Sequence, residues 1–150
     1  KVEKSVFSGE YNNTLDEKGR IMFPAKLRCL LPGSQVVITR GIDRCLWIFS
    51  PEEWALLSEK VMQSASLFQA NSRLILRRLI APAQEIDIDK AGRVSIPQSL
   101  REYAQLEKDC VLLGINRYLE LWDADEYRAY LEGSEADFHQ ASEDLGLIRF

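Results

Sequence analysis

The sequence predicts an α+β chain in which two copies of one β-α unit close a pseudo-two-fold β-barrel with helical arms outside it. Three observations carry that expectation. The phrase Asp16-Glu17-Lys18-Gly19-Arg20 returns as Asp89-Lys90-Ala91-Gly92-Arg93, each followed by an apolar residue and then by a proline, Pro24 or Pro97. The offset of 73 residues holds without a gap through the rest of the unit, pairing Leu27-Arg28 with Leu100-Arg101 and Gly41-Ile42-Asp43-Arg44 with Gly114-Ile115-Asn116-Arg117. Both copies end on the same helix-capping pattern. Two repeats point to a pseudo-two-fold unit, since solenoids need at least three.

Each copy opens on an alternating segment, Tyr11 to Leu15 or Gln84 to Ile88, which reads as a half-buried strand. Asp-x-x-Gly is turn chemistry, because aspartate bonds its own backbone and Gly19 or Gly92 accepts positive φ. With Ile21 to Phe23 or Val94 to Ile96 continuing as a strand, each motif reads as a hairpin tip. Pro24 to Arg28 and Pro97 to Arg101 read as short helices with proline in the first turn. Gln35 to Thr39 with Cys45 to Phe49, and Cys110 to Leu113 with Tyr118 to Trp122, are two further strand pairs joined by the Gly-Ile-Asp/Asn-Arg reversals.

Ser50-Pro51-Glu52-Glu53 and Asp123-Ala124-Asp125-Glu126 then cap helices, with a side-chain acceptor at N-cap and glutamate at N3. The first helix carries Trp54, Leu57, Val61 and Met62 at helical spacing. A second apolar stretch, Leu67 to Ile80, brings Arg73, Arg77 and Arg78. Both are expected to serve core and subunit interface. The three arginines either extend a nucleic-acid face or pair with acidic residues of a neighbouring subunit. The second copy ends in a more acidic helical region, Tyr127 to about Leu145.

At 150 residues and 46% hydrophobic, the chain supports one ordinary core. Halves of about 70 residues would each be marginal alone, so they are expected to share it. No apolar run approaches the roughly 20 residues of a membrane span and no signal peptide opens the chain, so the cytoplasm is expected. Cys29, Cys45 and Cys110 show no CxxC spacing, and their odd number speaks for reduced thiols. His139 near Asp137, Glu143 and Asp144 reads as a solvated helix face rather than a metal site. The formal charge is −4, but it is unevenly spread: residues 1–50 carry eight Lys/Arg against five Asp/Glu, and residues 101–150 five against twelve. A basic first copy and an acidic end can direct one face toward an anion.

Within Asp-x-x-x-Arg the carboxylate and guanidinium can meet across a tight turn. Asp16, Gly19, Asp89 and Gly92 then form a hairpin latch. Alternatively, Arg20 and Arg93, held by their aspartates, are preoriented forks for phosphate or a guanine edge. A catalytic Asp16/Asp89 dyad is disfavoured, because each carboxylate already has a cationic partner that keeps it ionised. No nucleophile triad, nucleotide loop or metal-ligand spacing is present in the sequence. An enzyme is not expected, nor a cofactor, a small-molecule substrate or a membrane partner.

Taken together, Phe7-Ser8-Gly9-Glu10-Tyr11, Leu15 to Arg20, Pro24 to Arg28 and Asp89 to Pro97 resemble the bacterial MraZ family, from about residue 6 to at least Asp123. The resemblance implies two SpoVT-AbrB-type swapped-hairpin units, at residues 6–53 and 82–126, with a helical spacer at 54–81 and an acidic helical region at 127–150. It implies a ring-shaped homo-oligomer that binds tandem repeats of double-stranded DNA, in the cytoplasm and at the nucleoid. The expected role is sequence-specific transcription regulation at the promoter of the division and cell-wall gene cluster that encodes it. Arg20 and Arg93 match the family's DNA-contacting arginines and Lys18 its first-motif lysine; Ala91 replaces the second lysine, so the second copy is expected to bind more weakly. Lys90 and Arg28 complete the candidate DNA-contact set. An oligomeric protein-interaction module without DNA is the alternative.

Overall fold

The structure, a computed structural model, describes residues 6–146. The first copy runs β1 (Glu10–Thr14), β2 (Arg20–Met22), α1 (Ala25–Arg28), β3 (Gln35–Arg40), β4 (Leu46–Phe49) and α2 (Pro51–Ser64). Helix α3 (Ala70–Ile75) continues through a wider π turn, Leu76–Ile80, toward the second copy. There β5 (Gln84–Asp87), β6 (Arg93–Ser95), α4 (Gln98–Tyr103), β7 (Asp109–Ile115), β8 (Tyr118–Asp123) and α5 (Ala124–Gly133) repeat the order, followed by α6 (Glu135–Leu145).

An antiparallel six-stranded sheet has the order β1-β7-β8-β4-β3-β5, and β2 and β6 form a separate ribbon. The first strand of each copy pairs with the other copy: Tyr11 lies opposite Leu112, and Ile86 opposite Val36. Two ladders set a residue against its own equivalent 73 positions on, Ile21 against Val94 and Trp47 against Glu120. An antiparallel pair does this where a two-fold axis crosses it. The pseudo-two-fold axis therefore runs through both the ribbon and the centre of the sheet.

The expected barrel does not close. Strands β1 and β5 are the two edges of an open sheet, and β2 and β6 pair only with each other. Each motif is accordingly a corner between two layers rather than a hairpin tip. The reversal is tight, with Asp16 N donating to Arg20 O at 2.9 Å, yet β1 then ladders onto β7 and β2 onto β6. The reason is burial: Ile21 and Val94 are the inward residues of three-residue strands, and they reach the core only if the ribbon lies across the sheet. At the corner, Asn13 Nδ2 donates to Met22 O at 2.6 Å and ties the diverging strands together.

Ile38 of β3, Ile48 of β4 and Leu121 of β8 meet Ile21 and Val94 of the ribbon in one shared core. Leu27 and Leu100 are the buried residues of α1 and α4 and close its ends. Each such side chain contributes roughly 1.5–3 kcal/mol through burial. The opposite face of the sheet holds a smaller cluster of Cys45, Val111, Leu113 and Trp122. Covered on both faces, β3 buries Val36 through Thr39 without alternation. Thr39 satisfies its hydroxyl by donating to Leu79 O of the π turn at 2.6 Å.

The caps form as their sequences predict. Ser50 Oγ accepts from Glu53 N and an Asp123 carboxylate oxygen from Glu126 N, both at 3.2 Å. The expectation that α2 and α3 fill the core fails within one chain: neither buries any residue fully. Phe68 is 96% and Leu67 66% exposed between them. Among the described residues no helix is long and apolar enough to cross a membrane.

Candidate nucleic-acid interface

Strand alternation on the ribbon turns Ile21 and Val94 inward, leaving Arg20, Met22, Arg93 and Ser95 on the opposite face. Arg20 lies opposite Ser95 and Arg93 opposite Met22, so the two motif arginines are diagonal neighbours, about 7–8 Å apart by ladder geometry. Each motif glycine laces the copies further, Gly19 O accepting from Ile96 N and Gly92 O from Phe23 N, both at 2.8 Å.

Both aspartates are saturated by their own turns. Asp16 Oδ1 accepts from Lys18 N and Arg20 N at 2.9 Å, while Oδ2 accepts from Arg20 Nε at 2.8 Å. Asp89 repeats this with Ala91 N, Arg93 N and Arg93 Nε at 2.9, 2.8 and 2.9 Å. The backbone N–H of Arg20 holds the Asp16 carboxyl below its ordinary pKa despite some desolvation, with the Arg20 side chain and the Lys18 N–H adding to it. The Arg93 N–H does the same for Asp89. Each guanidinium spends Nε on its aspartate. Among the described residues, the terminal nitrogens of Arg20 and Arg93 take no protein acceptor.

A second arginine joins each turn from the other copy. A Cβ on Gly19 would run into the Arg101 guanidinium, and a Cβ on Gly92 into that of Arg28. The Nε atoms of Arg28 and Arg101 are buried without an acceptor among the described residues. The structure thus groups Asp16, Lys18, Gly19 and Arg20 with Arg101, and Asp89, Lys90, Gly92 and Arg93 with Arg28. Arg101 is absent from the candidate set read off the sequence, although the offset that pairs Leu27-Arg28 with Leu100-Arg101 points to it.

Lys18 and Lys90 are both exposed. They sit at different turn positions, with Glu17 at the place of Lys90 and Ala91 at the place of Lys18. Counted locally, Asp16-Glu17-Lys18-Arg20 balances to zero and Asp89-Lys90-Arg93 to one positive charge. The basic character of the first copy therefore does not reside in its turn. Arg73 donates to Leu67 O at 2.9 Å inside the helical spacer. His139 lies 3.5 Å from Glu135 on exposed α6.

The MraZ protein family matches this chain twice, over residues 6–78 and 79–148. The two matches begin 73 residues apart, the offset of the repeat. A protein of Treponema denticola named transcriptional regulator MraZ is 61% identical over 95% of this chain and 99% of its own length. A protein of that name from Treponema pallidum is 53% identical over 96% and 97%. Another, from Halothermothrix orenii, is 41% identical over 95% of this chain and the whole of its own. The doubled turn, its ribbon and the full-length similarity agree: the chain belongs to the MraZ family.

Proposed function

We propose that the face of the β2–β6 ribbon and its two turns bind double-stranded DNA, and that the chain is a non-enzymatic, sequence-specific transcriptional regulator. The observation that carries this is the diagonal placement of Arg20 and Arg93 on one outward face, each oriented through Nε by its own aspartate. Two terminal nitrogens per guanidinium then remain for phosphate or for the acceptor edge of guanine. A two-stranded ribbon is one of the elements that the major groove admits. Lys18, Lys90, Arg28 and Arg101 surround the same face and serve phosphate contacts, with Asp16, Gly19, Asp89 and Gly92 holding the turns in shape. The relatives' name supports a regulator, and the family resemblance supports an operator of tandem repeats upstream of division and cell-wall genes.

We further propose that the chain acts as a ring-shaped homo-oligomer. Leu67 and Phe68, between α2 and α3, and Phe138 and Leu145, on α6, leave large apolar side chains more than 60% exposed, and none of these three helices buries a residue fully. A ring that presents several ribbons in register gives avidity on repeated sites although each ribbon is small. The test is a gel shift with the chain's own upstream region at two salt concentrations, beside size exclusion. Arg20→Ala is expected to abolish specific binding and leave assembly unchanged, and Arg93→Ala to weaken it. Wild-type binding by both variants overturns the ribbon face as the DNA contact, whereas no binding by the wild-type chain at either salt concentration overturns the DNA role and leaves the interaction module as the surviving function.

A further inference from the structure

Two grooves of the molecule are copies of each other. One, of about 680 Å³, lies between α2 and the β7–β8 turn. The other, of about 760 Å³, lies between α5 and the β3–β4 turn. The offset of 73 maps Phe49 onto Trp122, Glu53 onto Glu126 and Arg44 onto Arg117.

The copies have diverged in one contact that decides what each can hold. In the first groove, Arg117 Nη1 donates to Glu53 Oε1 at 3.2 Å, and the turn is bridged to the helix. In the second, Arg44 leaves Glu126 and lies over the Tyr103 ring, 5.2 Å from its centre, beside Arg40 at 5.0 Å. Tyr103 fixes this arrangement by donating its hydroxyl to Gly41 O at 2.9 Å. Arg78, from the π turn, lines the same groove. Among the described residues, none of these three arginines has a carboxylate within 4.0 Å. Among the described residues Arg40 Nε is buried without an acceptor. Asp43 and Glu126 also line the groove, so its formal balance is one positive charge. Its apolar wall is the exposed pair Tyr130 and Ile42, with Tyr130 packed on the buried Trp122, ring centres 5.0 Å apart.

The matching surface is on the chain itself. Helix α6 buries no residue, and Phe138, Ala141 and Leu145 recur at i, i+3 and i+7 as one stripe. Asp137 and Asp144 each precede a stripe residue and so border it along one side. Phe138 and Leu145 are 64% and 63% exposed. We propose that the second groove receives α6 of a second copy of this chain, with Asp137 and Asp144 meeting Arg44, Arg78 and Arg40 and the apolar stripe covering Tyr130 and Ile42. This is helix-in-groove recognition with a charged rim. The chain's own α6 departs from α5, the wall of that groove, across Ser134 alone and is not seated in it. Because Arg117 of the equivalent groove is already engaged by Glu53, only the second groove offers arginines without a carboxylate partner among the described residues, and each chain has one acceptor and one donor. Such a heterologous contact propagates head to tail and ends when the rotation closes a ring. It also accounts for the separation of basic and acidic thirds along the sequence and gives Arg78 a partner. The inference rests on the self-association proposed above.

The test is native mass spectrometry and sedimentation velocity of the full chain, with circular dichroism to verify folding. The wild type is expected to assemble. R44E/R78E in the groove and D137K/D144K on the exposed arm are each expected to weaken assembly at least tenfold, and the four changes together in one chain to restore it. A folded groove or arm variant with the wild-type size distribution overturns the inference, as does a folded four-fold variant that fails to reassemble. A monomeric wild type instead overturns the self-association reading, and the inference with it.

Discussion

The Arg101 guanidinium of the second copy lies where a side chain on Gly19 of the first would begin, and Arg28 stands in the same relation to Gly92. Each corner turn is thus roofed by an arginine from the opposite copy. Gly19 is needed twice over: its φ of +77° is in the left-handed region, and a built Cβ would lie 2.6 Å from Arg101 Cζ. Gly19→Ala is expected to destabilise the fold by about 2 kcal/mol, mostly from the backbone conformation. Urea denaturation in the wild-type and Arg101→Ala backgrounds checks this. The cost should shrink when Arg101 is truncated, and an equal cost in both would show that the roof yields freely.

Acid should loosen both corners. Asp16 and Asp89 have pKa values lowered in the folded state, first by the backbone N–H groups of Arg20 and Arg93. Their contribution is present above the unfolded carboxylate value of about 4 and is lost as pH falls through the lower folded value. Asn at both positions keeps an acceptor for the turn but removes the charge. Asp16→Asn/Asp89→Asn is expected to show a smaller stability difference between neutral and acid pH than the wild type, measured by urea midpoints across the range.

The thiols should separate cleanly. Burial raises the Cys45 pKa strongly and pushes Cys110 up to about 11, while Cys29 is exposed. Since the thiolate is the reactive form, a maleimide near neutral pH is expected to label Cys29 alone until the chain is unfolded. Intact mass before and after denaturant reads this directly. A second fast label on the folded chain would mean that the sheet opens locally around Cys45 or Cys110.

The repeat unit was legible in the sequence because its offset is fixed and its signals are local: turn glycines, prolines before short helices, and the caps at Ser50 and Asp123. The exchange of first strands between copies leaves no such local signal, since Tyr11 pairs with Leu112, 101 positions away. The open sheet leaves no local signal for a related reason. Nothing in Asp-x-x-Gly-Arg tells a hairpin tip from a corner; what separates them is whether β1 ladders onto β2 or onto β7. For the candidate site, Arg20 and Arg93 could be named from their motifs, but their sharing of one ribbon face followed only from the Ile21–Val94 register. Arg101 was missed because its role depends on a contact across copies.

Gly41 and Gly114 are equivalent in sequence but are glycine for different reasons. A Cβ at Gly41 would meet side-chain atoms, Cys45 Sγ at 2.6 Å and Trp47 Nε1 at 2.9 Å. A Cβ at Gly114 would meet backbone, Ser8 N at 2.5 Å and Ser8 Cα at 2.6 Å. Side chains can turn aside, whereas that backbone is held by Phe7 N donating to Asn116 O at 2.7 Å, Asn116 N to Phe7 O at 2.9 Å and Gly114 N to Gly9 O at 2.9 Å. Gly114→Ala must therefore lift the segment before β1 off β7 and break some of these bonds, at about 1–3 kcal/mol. Hydrogen exchange is expected to quicken at Phe7, Gly114 and Asn116 while Leu119 and Leu121 in the centre of the sheet stay protected. Gly41→Ala should instead perturb Trp47 fluorescence. If Gly114→Ala left the Phe7 amide protected, the first segment would have room that the structure does not give it.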